Sequence, residues 1–308
     1  MVRRKKAAIS VILFLFAILV IGCDNNQSVN ADEESNNEEE QQEQESATKK
    51  QEARVVSTTV AATEIFDALE IDLVGVPTSY KDLPSRYDGV TEVGNPMSPD
   101  MELVKSLDPT HVFSVTTLQT DLEEVFDNVK IDATFLNFQS LDNMLNEIEQ
   151  IGDQFNRTEQ ATELITSIET RLKEVEARVE GKEAPSVLIL LGVPGSYLVA
   201  TEHSYIGDLV KRAGGVNVVQ GEDVEYLASN TEYLQQANPD VILRAAHGMP
   251  EEVVEMFDEE FQTNDIWKHF KAVQNDRVYD LPEELFPTTG NLAVVEAMDE
   301  LLKMLYEE

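Results

Sequence analysis

One helical signal runs from residue 156 to residue 182, and a segment of that length constrains the rest of the chain more than any other feature. Ala161, Ile165, Ile168, Leu172, Val175 and Val179 recur at steps of four and three, which builds one apolar stripe with charge on the remaining faces. Asn156 with Glu159 three residues later reads as an N-cap and capping box, and Gly181 and Pro185 read as the stop. At ~1.5 Å per residue, about 26 helical residues span ~39 Å, the length of a domain. A single short stripe suits packing along two flanking bodies better than a coiled coil.

Both flanks carry the same rhythm. Residues 55–155 alternate short apolar runs with helical patterns: Val55 to Thr58, a helix near Thr63 to Leu69, Leu73 to Val76, a helix from Met101 to Leu107, and His111 to Val115. The pattern continues through a helix at Leu122 to Val129, a strand at Ala133 to Phe138 and an amphipathic stretch from Leu141 to Phe155. Residues 183–308 restart it with Ser186 to Leu191, Tyr197 to Thr201, a helix at Ser204 to Ala213, Val241 to Ala246 and a helix from Pro250. This is the signature of α/β lobes built on parallel sheets. The stretch from Glu102 to Phe113, with Pro109, parallels that from Glu232 to Leu243, with Pro239, as helix, proline turn and strand. Two related Rossmann-like lobes joined by one long helix form a clamp. Ligands of such sheets bind beyond the carboxyl ends of the strands, so the loops after Phe113 and Leu243 are expected to face the cleft.

The remaining N-terminal segments are of different character. Arg3, Arg4, Lys5 and Lys6 precede an apolar run from Ala7 to Ile21, which is short for a spanning helix of about 20 residues and reads as an export signal over residues 1–22. Val20-Ile21-Gly22-Cys23 resembles the bacterial lipobox, so Cys23, the sole cysteine, is expected to carry the lipid that holds the protein on the outer face of the cell membrane. Residues 23–54, dense in Glu, Gln, Asn and Ser, read as an acidic tether. A formal net charge of −36 disfavours nucleic acid, whose binding needs neutralising cations.

Several longer segments carry a family resemblance: Gly75 to Lys81, Gly94 to Met97, Gly192 to Thr201, Ser204 to Val210, His247 to Glu252 and Asn264 to Val273. With these the chain resembles, from Arg54 onward, the single-helix-hinged (class III) substrate-binding proteins of bacterial importers, which take up siderophores, cobalamin and heme, and most of all the heme-carrying members. The resemblance implies heme b as transported ligand, an ABC permease with its ATPase as partners, and upstream surface heme-binding proteins as donors. It also implies that Met97 and His247 are the axial ligands of the iron, one from each lobe. From the residues alone a histidine placed like His247, just past a strand, is more often a structural hydrogen-bonder, and a methionine placed like Met97 more often core filler or a lid contact, with Met249 a rival thioether.

His111, His203 and His269 fall in a strand, a loop and a packing segment. For the heme propionates the expected contacts are Thr59 and Val60, ahead of the first helix, and the loop of Ser79, Tyr80 and Lys81, which the resemblance places near the cargo. Glu102 and Glu232, at equivalent places on the two lobes, are expected to dock on the permease. A siderophore or cobalamin carrier remains the alternative on the same fold, and a surface heme-dependent enzyme the alternative of another class. No Ser/His/Asp set, cysteine nucleophile, phosphate-cradling glycine loop or His-x-x-x-His motif favours catalysis.

Overall fold

A computed structural model of the chain describes residues 53–229, 234 and 236–306. Cys23, the export signal, most of the tether and Glu232 lie outside these residues. Among the described residues no helix is long and apolar enough to cross a membrane.

The first lobe alternates strands and helices in chain order: β1 Val55–Ser57, α1 Val60–Ala68, β2 Leu73–Val76, β3 Thr91–Glu92, β4 Gly94–Asn95, β5 Ser98–Pro99, α2 Met101–Ser106, β6 His111–Val115, α3 Gln119–Val129, β7 Ala133–Leu136 and α4 Leu141–Gln154. Its sheet has the order β3-β2-β1-β6-β7, and every pairing is parallel. The chain leaves β1 to one side through β2 and β3 and returns to the other side at β6. The direction of progress therefore reverses between β1 and β6, and at such a switch point neighbouring loops diverge and leave a crevice.

The second lobe holds β8 Ser186–Val193, β9 Ser196–Ala200, α6 Tyr205–Arg212, β10 Val216–Asn217, β11 Tyr226–Ala228, β12 Val241–Ala246, α7 Pro250–Thr263, β13 Val278–Leu281 and α8 Val294–Tyr306. The sheet order β11-β9-β8-β12-β13, with β10 beside β8, again places a switch point between two central strands, here β8 and β12. It is not a purely parallel sheet. β9 runs antiparallel to β8, because Pro194 and Gly195 close a two-residue hairpin between Val193 and Ser196, with Gly195 at φ 82°. The stretch from Gly192 is thus a turn. Gly192 itself serves the approach of α7: a Cβ there would meet Val253 Cγ1 at 2.3 Å.

Between the lobes runs α5, Thr158–Glu176, with Ala161, Ile168, Leu172 and Val175 buried along the expected stripe. It is shorter than the expected span over 156–182, about 28 Å for 19 residues. The capping box does not form. Asn156 adopts φ 56°, and the Arg157 amide reaches back to the Gly152 carbonyl at 2.6 Å while the Asn156 amide reaches Asp153 at 3.4 Å. That double bond is a Schellman ending for α4, a place where Asn is tolerated because it enters the left-handed region at low cost. Asn156 closes one helix instead of opening the next.

The internal similarity has a backbone counterpart. Asp108 (φ 47°) and Asn238 (φ 42°) each turn left-handed immediately before the equivalent prolines, Pro109 and Pro239, and each precedes a central strand. One hydrophobic core includes Phe66 and Phe113 of the first lobe, Leu172 of α5, and Val210 and Leu301 of the second. The lobes also meet through polar contacts: Gly290 N–H to the Phe138 carbonyl (2.7 Å), Leu141 N–H to Asp208 (3.0 Å) and Arg212 to Asp142 (2.7 Å).

Candidate ligand-binding cleft

At the first switch point β1 gives way to α1 through Thr58 and Thr59. Thr59 is the N-cap, and the helix begins a turn earlier than its apolar pattern suggests, with Thr63 N–H bonding to the Thr59 carbonyl at 3.1 Å. The amides of Val60, Ala61 and Ala62 precede that first intrahelical bond and are left for an outside acceptor. Thr59 Oγ, only 6% exposed, has no partner, and the hydroxyls of Ser114 and Thr116 at the end of β6 are buried without one as well. Unpaired buried hydroxyls clustered at strand ends fit a polar ligand group better than a sealed core.

β2 runs into a loop through Thr78, Ser79, Tyr80 and Lys81. Ser79 Oγ accepts from the Lys81 amide at 2.9 Å, so this hydroxyl shapes the turn. The loop is tied to the β4–β5 hairpin by Thr78 N–H bonding to the Gly94 carbonyl at 2.9 Å. In that hairpin Asn95 faces Ser98, leaving Pro96 and Met97 as its tip, and the Met97 amide is held by Asn95 Oδ1 at 2.9 Å. Met97 is 63% exposed and so is not core filler. Tyr80 stands out further, at 71%. Exposed large apolar side chains gathered on neighbouring loops mark an interaction surface.

On the second lobe His247 is the first residue beyond β12, and its amide donates to the Gly192 carbonyl at the end of β8 (3.0 Å), so the strand ladder extends to it. Gly248 and Met249 then turn left-handed (φ 69° and 49°) before Pro250 opens α7. Surrounding protein disfavours the charged form of the His247 ring. Its pKa is pushed below the ordinary value chiefly by this burial, with Glu283 pulling it up and Lys81 pushing it down. A neutral imidazole is the form that ligates metals. Met249 caps α7 on the same lobe as His247.

Glu283 brings the two lobes together. Its Oε1 accepts from the Tyr80 hydroxyl at 2.5 Å, lies 3.4 Å from the Gly248 amide, and stands 3.7 Å from Lys81 Nζ. Tyr80 and its neighbour Lys81 thus lie directly across the cleft from the His247–Gly248 turn, with the Met97 hairpin alongside. Thr59 and Val60 sit at the adjoining switch point. Glu102 lies exposed in the first turn of α2, where its amide bonds to the Asp100 carboxylate at 3.0 Å.

Lys81 belongs to the expected propionate loop, whereas Glu283 does not stand among the expected site residues, although a usable signal for it existed. Glu283 lies two residues past β13, the strand beside β12, where the strand-end rule applies equally. Among the described residues no three His, Cys, Asp or Glu side chains cluster as a metal site.

Comparison with known proteins agrees with this architecture. Residues 55–285 match the family model described as periplasmic binding protein. The high-affinity heme uptake system protein IsdE of Staphylococcus aureus (strain Newman) is 52% identical over 260 residues, covering 83% of this chain and 88% of that protein. The crystal structure of S. aureus IsdE complexed with heme superposes with a TM-score of 0.81 at 51% identity, over 83% of this chain and all of that one (100%). An ABC transporter substrate-binding protein from Listeria monocytogenes EGD-e gives 0.80 at 57% identity, over 83% of this chain and 99% of that one. By sequence and by fold alike, the chain belongs to the periplasmic binding protein family.

Proposed function

We propose that this protein binds heme between its two lobes, with Met97 and His247 as the axial ligands of the iron, and hands it to the permease of an ABC importer. The observation that carries the reading is the placement of an exposed thioether at the hairpin tip of one lobe and of an imidazole at the strand end of the other. A ligand from each lobe grips opposite faces of a flat ring. Filling both open positions of the iron suits carriage over oxygen activation. The unpaired Thr59 hydroxyl, the free amides at the start of α1 and the Tyr80 hydroxyl supply donors for two propionates. The likeness to a structure solved with heme supports the same cargo.

Absorbance titration of residues 53–308 with heme, a ferric siderophore and cobalamin tests the reading. Heme is expected to bind with a six-coordinate low-spin spectrum. Tighter binding of either competitor overturns it.

We further infer that Cys23 is acylated and that the acidic tether sets the folded body off from the bilayer. Cys23→Ala is expected to abolish incorporation of labelled fatty acid completely and to leave the protein released or with its signal uncleaved; any residual label refutes the anchor.

Docking is assigned to Glu102 and Glu232, acidic residues at equivalent positions that would meet basic residues on the two halves of a permease. With both reversed to lysine, heme uptake by cells is expected to fall to the level of a strain lacking the protein, while the purified variant binds heme normally. Uptake at the wild-type rate removes the docking role.

A further inference from the structure

Glu283 joins groups that the heme reading needs for other purposes. Its side chain is only 9% exposed, and one of its oxygens collects three donors from both lobes: the Tyr80 hydroxyl, the Lys81 ammonium and the Gly248 amide. Tyr80 contributes a ring that is mostly in solvent, so its position is held from the hydroxyl end and not by packing. Burial raises the pKa of this phenol, and the hydrogen bond and charge of Glu283 raise it further, so it remains a donor throughout the physiological range. Lys81 also faces Glu64 of α1, whose carboxyl is raised by burial and lowered by this ammonium. Hydroxyl and ammonium together are what a propionate would engage, and a carboxylate of the protein holds them.

We propose that Glu283 is a latch displaced by cargo: its carboxylate spans the cleft to Tyr80 and Lys81, and a carboxylate of the incoming porphyrin takes over both donors. The inference rests on the heme reading and adds to it an exchange of one anion for another. Glu283 then keeps the Gly248 amide on its own lobe. The exchange explains how a strongly acidic protein keeps a cationic and a phenolic donor poised without leaving them unpaired. It also selects against apolar porphyrins, which bring no anion to replace the one they dislodge.

The test compares wild type, Glu283→Gln and Tyr80→Phe for binding of iron protoporphyrin IX and of its dimethyl ester, which lacks the carboxylates. Removing the competing charge is expected to tighten binding of the diacid about five- to tenfold, since the donors no longer have to leave a charged partner, and to change binding of the ester less than about twofold. Tyr80→Phe, which leaves Glu283 in place, is expected to narrow the preference for diacid over ester. If Glu283→Gln binds the diacid no tighter than wild type, or gains equally for the ester, or if Tyr80→Phe keeps the full preference, the latch is refuted while the heme reading stands. Wild type that binds neither porphyrin refutes both.

Discussion

His247→Ala is expected to weaken ferric heme retention by at least about 100-fold, or ~2.7 kcal/mol, and to turn a low-spin spectrum into a high-spin one. Imidazole is the stronger of the two axial ligands for ferric iron, and the backbone holding it is fixed on both sides, by the bond to Gly192 and by the start of α7. The ring of the cargo would still be held by its propionates and by apolar contacts, so a residual fraction remains bound. Met97→Ala is expected to behave differently. Thioether ligation favours the reduced iron, so its loss should lower the reduction potential with a smaller effect on ferric affinity. Spectroelectrochemistry of both variants separates the roles. Unchanged spectra in both single variants would sink the ligand assignment. An unchanged spectrum in Met97→Ala alone would shift the thioether role to Met249, which would place both ligands on one lobe.

Arg244→Ala is expected to cost about 3 kcal/mol of folding stability, read as a fall in the urea midpoint at constant slope. Arg244 lies on β12 three residues before His247 and is 8% exposed. Its guanidinium forks onto Asp280 at 2.7 and 2.6 Å, reaches Asp258 at 3.0 Å, and lies 5.5 and 5.3 Å from the rings of Phe257 and Phe261. Deleting it strands two carboxylates together and removes the stem that packs on α7. Both aspartates retain some access to water, which keeps the expected cost at the lower end of that for a broken buried pair. Arg244→Met, which preserves the stem, should lose less, and Arg244→Lys should not restore the fork. A midpoint unchanged in Arg244→Ala would show that the network contributes nothing net.

The strands at Val55, Leu73, His111, Ser186 and Val241 were legible because each is a short run of apolar residues bounded by turn formers. That pattern follows from burial on both faces of a parallel sheet. The stripe on α5 was legible for the same reason, since its spacing survives in the buried set. What escaped was local geometry with two chemical solutions. Asn156 suits a helix start and a helix end equally, and only the bonds from 156 and 157 back into α4 decide between them. Pro194 and Gly195 could have bent the chain toward a crossover or a hairpin, and the antiparallel β9 shows which prevailed. For the cleft, His247 could be placed from its position one residue past a strand, whereas Met97 rested on family resemblance, because nothing in a Pro-Met-Ser sequence states that the thioether will face solvent. Glu283 and Lys81 act across a sequence separation of about 200 residues, which no local pattern encodes.

The core shared by both lobes has a consequence for how the chain must be made. The stripe of α5 is walled on one side by α4 and on the other by α8, and α8 is further stitched to α5 and the turn after it through Arg171 with Glu296 at 3.7 Å and Arg178 with Asp299. Yet α8 lies far from α5 in the sequence. Until α8 docks, α5 presents Leu172, Val175 and their neighbours to water, a half-finished surface open to wrong partners. Loss of α8 is therefore expected to damage the first half of the fold as much as the second, because both lobes share one core.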